Sequence, residues 1–242
     1  MNSTLTEIAP DTYRISTFHP GYKMQFNQFL VKDEEPLLFH TAFRRMFDVT
    51  REAVAKLIDP AKLRWIGFSH FEPDECGALN QYLEVAPRAQ AVCSFVGKVV
   101  MLDDFADREP RALTDGEVLA TGRHRLRFVA TPQVPHGWDA GLLFDETERT
   151  LFCSDLFFHG GDPAPTATDI VGPAAESVVK GLSGPMAKDM PYTPYTDATL
   201  RRLAALEPRT LATMHGSSFN GDGGRAVLDL ARVLADALGS AT

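Results

Sequence analysis

The segment His70-Phe71-Glu72-Pro73-Asp74 places one imidazole and two carboxylates at alternating positions. It directly follows an apolar run, residues 63–68, whose composition predicts a β-strand. Imidazole and carboxylate are side chains with which proteins bind iron, zinc and manganese. The segment therefore predicts a loop at the end of a strand that supplies metal ligands.

Further imidazoles and a carboxylate follow short apolar runs later in the chain. They are His136 after residues 127–129, Asp155 after residues 151–153, and His215 after residues 211–213. Strand ends that deliver histidine and carboxylate to one edge of a fold can form a pocket for two metal ions. We therefore predict a two-metal site, whose candidate ligands are His70, Glu72, Asp74, His136, Asp155 and His215.

The order of these segments resembles the metallo-β-lactamase superfamily over nearly the whole chain. Supporting segments lie at residues 27–31, 37–41, 76–79, 136–139, 152–157 and 215–216. The resemblance implies an α/β fold of the αββα sandwich type, in which two mixed sheets are flanked by helices. It also implies a single domain that covers residues 1–242.

The first ligand segment departs from the zinc hydrolases of that superfamily, which carry the motif H-x-H-x-D-H. Glu72 replaces the second histidine of the motif, and Glu75 replaces the last. The pattern His-x-Glu-x-Asp is instead similar to the flavodiiron proteins and to the shorter oxygen-binding diiron proteins. Because oxygen donors suit iron better than zinc, the substitution favours a site for two iron ions over two zinc ions.

The same resemblance implies how the ligands are divided between the two metals. His70, Glu72 and His136 would hold the first metal, Asp74 and His215 the second, and Asp155 would bridge them. Many flavodiiron proteins have a histidine at the position of Glu75. Three roles therefore stay open for this carboxylate: metal ligand, hydrogen-bond partner of a bound water, or cap of the following helix.

The remaining histidines and the cysteines are interpreted as structural. We assign His19, His124 and His159 to surface or core positions. His40, in an inner strand, is expected either to contact a metal ligand or to pack in the core, and not to bind metal itself. Cys76, Cys93 and Cys153 show no C-x-x-C spacing and are expected to be free thiols. Cys153 lies two residues before Asp155 and is expected to pack beside that loop as a small hydrophobe. No catalytic residue beyond the metal ligands is assigned.

Strand and helix signals alternate along the chain. Strands are predicted at residues 12–17, 24–32 and 36–40 as an antiparallel set, then at 63–68 and 91–93, with several short strands between 111 and 153. Helices are predicted at residues 43–57, 75–83, 94–102 and 224–238. The last helix should cover an outer face of the sandwich.

Residues 158–194 are predicted to be the least regular part of the chain, because glycine and proline open the segment and Pro185, Pro191 and Pro194 close it. Two interpretations stay open. The segment either covers the metal pocket, lined by Phe157, Phe158, Tyr192 and Tyr195, or crosses the surface with its aromatic rings packed on the sandwich.

Composition restricts the partners. The net charge of −8 and a pI near 5.4 argue against a nucleic-acid partner. No apolar run approaches the roughly 20 residues of a membrane helix, and the polar start lacks the features of a signal peptide. We therefore expect a cytoplasmic protein without a membrane partner. Because the sequence ends at Thr242, one helix after the last ligand, we expect no flavodoxin domain and no bound flavin.

Three functions follow as hypotheses. The first hypothesis is a diiron oxidoreductase that reduces dioxygen or nitric oxide with electrons from an external reductase. The second is a diiron oxygen sensor or store whose state a signalling partner detects. The third hypothesis is a zinc hydrolase of an ester, thioester or lactone, in which a bridging hydroxide attacks the carbonyl. The sequence does not rank reduction against sensing, and it leaves a homodimer open.

Overall fold

The computed structural model describes residues 1–184 and 189–239, and its framework is two seven-stranded sheets. In spatial order, the first sheet contains β1 Ser3–Ala9, β2 Thr12–His19, β3 Met24–Val31, β4 Leu37–Phe39, β5 Trp65–Gly67, β6 Gln90–Ser94 and β7 Arg111–Leu113. Strands β1 to β4 are antiparallel neighbours, as the sequence predicts for β2 to β4, whereas β4 to β7 run parallel.

The second sheet contains, in spatial order, β12 Thr166–Ala167, β14 Ser218–Asn220, β13 Thr210–Thr213, β11 Thr150–Ser154, β10 Gly141–Asp145, β9 Arg125–Ala130 and β8 Val118–Ala120. The pairs β11–β13 and β12–β14 are parallel. The other neighbours are antiparallel. Both sheets are therefore mixed, which confirms that part of the predicted fold class.

Helices lie between and after the strands. They are α1 Phe47–Ala55, α2 Pro73–Cys76, α3 Leu79–Val85, α4 Asp103–Phe105, α5 Val171–Gly181, α6 Thr196–Ala204 and α7 Gly223–Leu238. Short 3-10 turns occupy Arg44–Met46 and Pro60–Lys62, and a π-helical turn occupies Gly97–Leu102. Among the helices of the described residues, none combines the length and apolarity that crossing a membrane requires.

The sheets meet through an apolar layer because alternate residues of a strand point to opposite faces. In β3, Phe29 belongs to the cluster between the sheets, whereas Leu30 packs with the outer helices. The Phe152 ring of β11 lies 5.6 Å from the ring of Phe29 and 5.2 Å from that of Phe39, measured between centroids. Such aromatic pairs contribute about 0.5–1.5 kcal/mol each beyond the area they bury.

The helices cover the outer faces of the two sheets. Val54 of α1 and Leu79 of α3 pack against the first sheet. Leu200 of α6 and Val227 of α7 pack against the second, in one cluster with Leu142 of β10. The layers are therefore helix, sheet, sheet and helix. The predicted αββα sandwich is confirmed, and so is the position of the last helix on an outer face.

Three predicted helices differ from the structure. The helix predicted at residues 94–102 is observed as the π-helical turn Gly97–Leu102. The helix predicted at residues 43–57 begins with a 3-10 turn and is α-helical only over α1. The helix predicted at residues 75–83 is divided into α2 and α3, because the backbone N–H of Ala78 donates to the carbonyl of Ala42 at 3.0 Å instead of continuing the helix. This contact attaches the start of α3 to the loop after β4.

The prediction for residues 158–194 was only partly right, because the segment is largely irregular but contains a helix that was not predicted. The segment contains the regular helix α5, and Pro185 lies outside the described residues. Pro173 is the third residue of α5, where the missing N–H of proline costs nothing because the first turn has no intrahelical acceptor. Strand β1 and helix α6 were not predicted.

Candidate metal centre

All six predicted ligands lie at one edge of the sandwich, in loops that follow four strands. His70, Glu72 and Asp74 follow β5, His136 follows β9, Asp155 follows β11 and His215 follows β13. The loop after β5 runs directly into α2, which has Asp74 in its first turn. The sheets thus bring residues that are up to 145 positions apart in the sequence to one place.

His70 and His136 form one half of the site. Their Nε2 atoms lie 2.8 Å apart. The carboxylate of Glu72 faces both rings: Oε1 is 3.3 Å from Nε2 of His136, and Oε2 is 3.7 Å from Nε2 of His70. One ligand atom from each of the three side chains lies within 4.8 Å of the others. The three side chains could therefore hold one metal ion, and they are the set that the resemblance assigns to the first metal.

Asp155 lies between the two halves of the site. Its Oδ2 is 3.5 Å from Nε2 of both His70 and His136, whereas its Oδ1 is 3.1 Å from Nε2 of His215. Nε2 of His215 is also 3.4 Å from Oδ2 of Asp74. One oxygen of Asp155 therefore faces each group of candidate ligands, which is the arrangement that a bridging carboxylate requires.

The charges of the site favour a cation. Burial lowers the pKa of His70 and His215, but the adjacent carboxylates outweigh burial and raise each pKa to about 10. Hydrogen bonds with His136 and His70 lower the pKa of Glu72 to about 2. Glu72 is thus ionised at neutral pH, and a metal ion would replace the protons of the imidazoles, since a metal binds the neutral ring.

Glu75 is buried behind His70 and accepts hydrogen bonds from the loop that carries this histidine. Its Oε2 accepts from the backbone N–H of Ser69 at 2.7 Å and of His70 at 3.0 Å. Its Oε1 accepts from the hydroxyl of Ser154 at 2.6 Å. The hydroxyl of Ser69 lies 2.8 Å from both Oε1 of Glu75 and Nδ1 of His70. Glu75 therefore holds the His70 loop against the start of the Asp155 loop.

This geometry bears on the three roles left open for Glu75. Its carboxylate bonds to N–H groups that precede α2, so it does not cap that helix. Glu75 also clusters with His70 and Asp155 as a possible metal-binding group. However, it faces Nδ1 of His70, at 3.5 Å, on the opposite side of the ring from Nε2. Both of its oxygens already accept hydrogen bonds, so the geometry favours a positioning role over a ligand role.

His40 is part of the same buried region but does not lie in a strand as predicted. It follows β4 directly and has a left-handed backbone, with φ of 67°. Its Nε2 lies 3.4 Å from Oε1 of Glu75. Burial lowers the pKa of His40, although Glu75 opposes this effect. His40 therefore packs against the residue that positions His70, and the hydrogen-bond, ion-pair and ring partners of its side chain are Asn27, Glu75, Phe29 and Phe39.

The ring of His215 is held by a backbone carbonyl and two phenylalanines. Its Nδ1 lies 2.8 Å from the carbonyl oxygen of Gln25. Because a carbonyl only accepts, Nδ1 carries the proton, and Nε2 points toward Asp155. Phe26 and Phe158 pack edge-on against the ring at 5.0 and 5.4 Å between centroids. The orientation of His215 is thus set by residues outside the candidate ligand set.

Gln25 is in turn held by Arg14, a buried cation on β2. Nη2 of Arg14 donates to Oε1 of Gln25 at 2.6 Å and to the carbonyl of Gly216 at 2.9 Å. Nε2 of Gln25 donates to Oδ1 of Asp162 at 2.7 Å. Burial lowers the pKa of Arg14 to about 10, although Asp162 opposes this effect. Sequence reasoning missed this network, and no local pattern marks it.

His159 joins the loops that carry Asp155 and His215. Its Nδ1 lies 2.9 Å from the carbonyl of Phe157, and its Nε2 accepts from the backbone N–H of Ser217 at 2.9 Å. Gly216 allows this contact: its φ is +94°, and a Cβ there would lie 2.3 Å from the His159 ring. His159 is therefore structural, as predicted, but it directly braces the site.

A cavity of about 340 Å³ opens beside the candidate ligands, and we call it the apolar chamber. Its polar end contains Glu72, Asp74, His136, Asp155 and His215. Its apolar walls include Met24 and Phe26 of β3, Ala174 and Val178 of α5, and Leu230 and Leu234 of α7. Helix α5 thus covers the site, which supports the cover interpretation of residues 158–194.

The predicted aromatic lining was only partly right. Phe157 and Phe158 line the apolar chamber, but Tyr192 and Tyr195 are not among its lining residues. Tyr195 is 74% exposed, and Tyr192 packs at the edge of the cluster between the second sheet and its helices. Aliphatic side chains of α5 and α7 line the chamber in their place.

The cysteines behave as the sequence predicts. Cys76, Cys93 and Cys153 are free and buried. Burial raises the pKa of all three thiols, that of Cys93 to about 12. Cys153 packs among the apolar residues under α6 and α7, and its Sγ donates to the carbonyl of Leu151 at 3.4 Å. Among the described residues, no group of side chains that could hold a metal ion includes a thiol.

The donor set fits a pair of metal ions. Two groups of imidazole and carboxylate face each other across Asp155, and both groups open onto one chamber. A layered sandwich that collects such residues at its strand ends defines a protein of the metallo-β-lactamase fold with a carboxylate-rich site. A family model described as "ODP family beta lactamase" matches residues 24–216, and the chain belongs to this family.

Known proteins are similar to the chain in sequence and in fold. It is 28% identical over 208 residues to the flavo-diiron protein FprA2 of Clostridium acetobutylicum, covering 84% of this chain and 51% of that protein. It is 25% identical over 214 residues to the rubredoxin-oxygen oxidoreductase of Megalodesulfovibrio gigas, covering 84% and 52%. The chain thus spans about half the length of these two relatives.

The solved structure of rubredoxin oxygen:oxidoreductase from Desulfovibrio gigas superposes with a TM-score of 0.77 at 21% identity. The match covers 95% of this chain and 61% of that one. At this level of identity, the similarity establishes the fold.

Proposed function

We propose that the chain is a non-heme diiron protein that binds dioxygen or nitric oxide and reduces it with electrons from a separate donor. The observation that carries the proposal is the position of Asp155, with one oxygen facing His70 and His136 and the other facing His215. A shared carboxylate between two ligand groups is suited to a pair of metals that act on one small molecule.

The donor chemistry favours iron. Three of the six candidate ligands are carboxylates, and harder oxygen donors suit iron better than zinc. In this proposal, His70, Glu72 and His136 hold one iron, and Asp74 and His215 hold the other, with Asp155 between them. The iron pair, when bound, would supply open positions for the gas molecule and two electrons for its reduction.

The residues of the chain orient the ligands and exclude water. The carbonyl of Gln25 keeps Nε2 of His215 directed at Asp155. Glu75 and Ser69 hold Nδ1 of His70 on the side away from His136. The apolar chamber lies against the open side of the ligand set, and a low-polarity cover strengthens electrostatic interactions and limits competing reactions with water.

The names of two similar proteins support the proposal. One is called a flavo-diiron protein and another a rubredoxin-oxygen oxidoreductase. Those names associate this fold with two irons, with oxygen as substrate and with a redox protein as electron donor. We therefore propose that a flavoprotein or a rubredoxin-type protein delivers electrons to this chain.

The test measures metal content and gas consumption on the same sample. Protein from iron-replete cells, purified without oxygen, should contain about two irons per chain. After reduction, admission of oxygen or nitric oxide should change the near-ultraviolet and visible spectrum. Repeated consumption of the gas with a flavoprotein reductase supports reduction. A single stoichiometric uptake that the reductase does not accelerate would replace reduction by sensing.

A different metal content would contradict the proposal. Two zinc ions, negligible iron and turnover of an ester or lactone would support the hydrolase instead. The control is Asp48→Ala, because the side chain of Asp48 is 84% exposed and lies outside the site. Its metal content and gas consumption should equal those of the unmodified protein.

A further inference from the structure

We propose that the apolar chamber binds a neutral, mainly hydrocarbon organic molecule of about the size of two fused aromatic rings, with one end at the metal ligands. This inference deepens the proposed function, on which it rests for the identity of that end, because it names a second occupant of the site where dioxygen or nitric oxide would react. Binding of the organic molecule to the chamber can be tested on both the metal-loaded and the metal-free protein.

The first argument is size. An apolar cavity of about 150 Å³ accommodates benzene, and one water molecule occupies about 30 Å³ in the liquid. The chamber measures about 340 Å³, which is roughly twice the benzene-binding volume and many times what a diatomic gas needs. A site that served a diatomic gas alone would not need a space of this size.

The second argument is the chemistry of the walls. Side chains from three elements face the space, among them Phe26 of β3, Val178 of α5 and Leu234 of α7. Among the described residues that line the chamber there is no lysine and no arginine. Apart from the candidate metal ligands, Asp189 is the only charged residue among them. Phosphates and other anions therefore find no partner on the walls, and a neutral apolar body fits best.

The third argument is the open space at the end of α5. Gly181 lines the chamber, and a Cβ built on it would meet no atom of the described residues within 4 Å. Ser177 lines the same wall one helical turn earlier. Val179 lies between them in sequence, but its side chain is 61% exposed and it does not line the chamber. The chain thus offers two variants that fill the chamber and one matched control.

The experiment measures binding of N-phenyl-1-naphthylamine, a neutral dye whose emission rises in apolar surroundings, and its displacement by naphthalene. Titrations use the metal-loaded and the metal-free protein. Unmodified protein and Val179→Phe should bind the dye with equal dissociation constants and release it to naphthalene. Gly181→Phe and Ser177→Leu should each weaken binding at least tenfold, while their circular dichroism and metal content stay unchanged.

Three results would overturn the proposal. The first is absence of dye and naphthalene binding by the folded protein. The second is equal binding by the control and both chamber-filling variants. The third is displacement of the dye by lumiflavin but not by naphthalene, which would assign the chamber to a flavin ring. Because dye binding is also measured without metal, failure here is distinguishable from failure of the diiron proposal, which appears as a wrong metal content.

Discussion

Replacement of Glu75 tests whether this carboxylate positions the His70 loop or binds metal. In Glu75→Ala, the backbone N–H groups of Ser69 and His70 lose their shared acceptor, Oε2. A buried donor without an acceptor costs about 1–3 kcal/mol, so the two together should lower the free energy of unfolding by about 2–6 kcal/mol. The hydroxyls of Ser69 and Ser154 lose an acceptor as well, but they can bond to each other at 2.6 Å.

Glu75→Gln should cost much less. Its amide oxygen can take the place of Oε2 and keep both backbone hydrogen bonds, and its NH₂ group can donate to the hydroxyl of Ser154. Hydrogen bonds to charged groups contribute about 1.5–3 kcal/mol, against about 0.5–1.5 for neutral ones. The loss should therefore be about 1 kcal/mol for each backbone bond, or about 2 kcal/mol in total.

The assay is urea unfolding of the metal-free protein, because bound metal would add its own stabilisation. Metal content is then counted on the loaded variants. Glu84, which is exposed on α3, provides the control substitution Glu84→Gln, with no expected effect on either measurement. If Glu75→Gln unfolds like the unmodified protein but lacks one metal per chain, Glu75 is a ligand and the positioning role is refuted.

Two further predictions concern other parts of the structure. Asp155→Ala should lower the occupancy of both metals, whereas His215→Ala should mainly lower that of the second; equal losses in metal analysis would argue against a bridging Asp155. Burial lowers the pKa of His124, but its 2.7 Å hydrogen bond with Asp145 outweighs burial and raises that pKa above the ordinary 6.5. The stabilisation of the fold by protonated His124 is therefore complete below about pH 6.5 and is lost as the pH rises through the pKa of His124 in the folded state. Asp145→Asn should flatten this part of the plot of unfolding free energy against pH, and an unchanged slope would contradict the prediction.

The candidate ligands could be predicted because their signal is local. His70, Glu72 and Asp74 are metal-binding residue types at every second position, and they directly follow a predicted strand. Strand ends meet at one edge of a sheet, so side chains placed there converge without any knowledge of the distances between them. This reasoning holds for His136 and His215 as well, which the structure brings within reach of Asp155.

The residues that support the ligands could not be predicted, because their contacts are distant in sequence. Arg14 and Gly216 are 202 positions apart, and Gln25 and His215 are 190 apart. Arg14 and Gln25 lie in strands, where a polar residue is ordinarily assigned to the exposed face. Only the pairing of β2 with β3, and their packing against the second sheet, turns these side chains toward the ligand loops.

The boundaries of helices were predicted wrongly where tertiary contacts compete with the local helix preference of the sequence. The hydrogen bond of Ala78 to Ala42 interrupts a helical sequence between α2 and α3. For α5, the opposite error arose, because no helix was predicted within residues 158–194, although α5 lies there with Pro173 in its first turn. A proline there is compatible with a helix. The error matters for function, because α5 forms much of the cover of the apolar chamber.

The negative charge of the candidate ligands is related physically to the apolar chamber that covers them. Three ligand carboxylates offset three of the four positive charges of two divalent ions, whereas the motif of the zinc hydrolases, with histidine in place of Glu72, would offset one charge fewer. Residual charge is costly next to apolar walls, since burial of an uncompensated ion is strongly unfavourable. In the proposed diiron site, Glu72 would therefore lower the residual charge next to the chamber formed by β3, α5 and α7, and the same low-polarity walls favour a neutral organic molecule over a charged one.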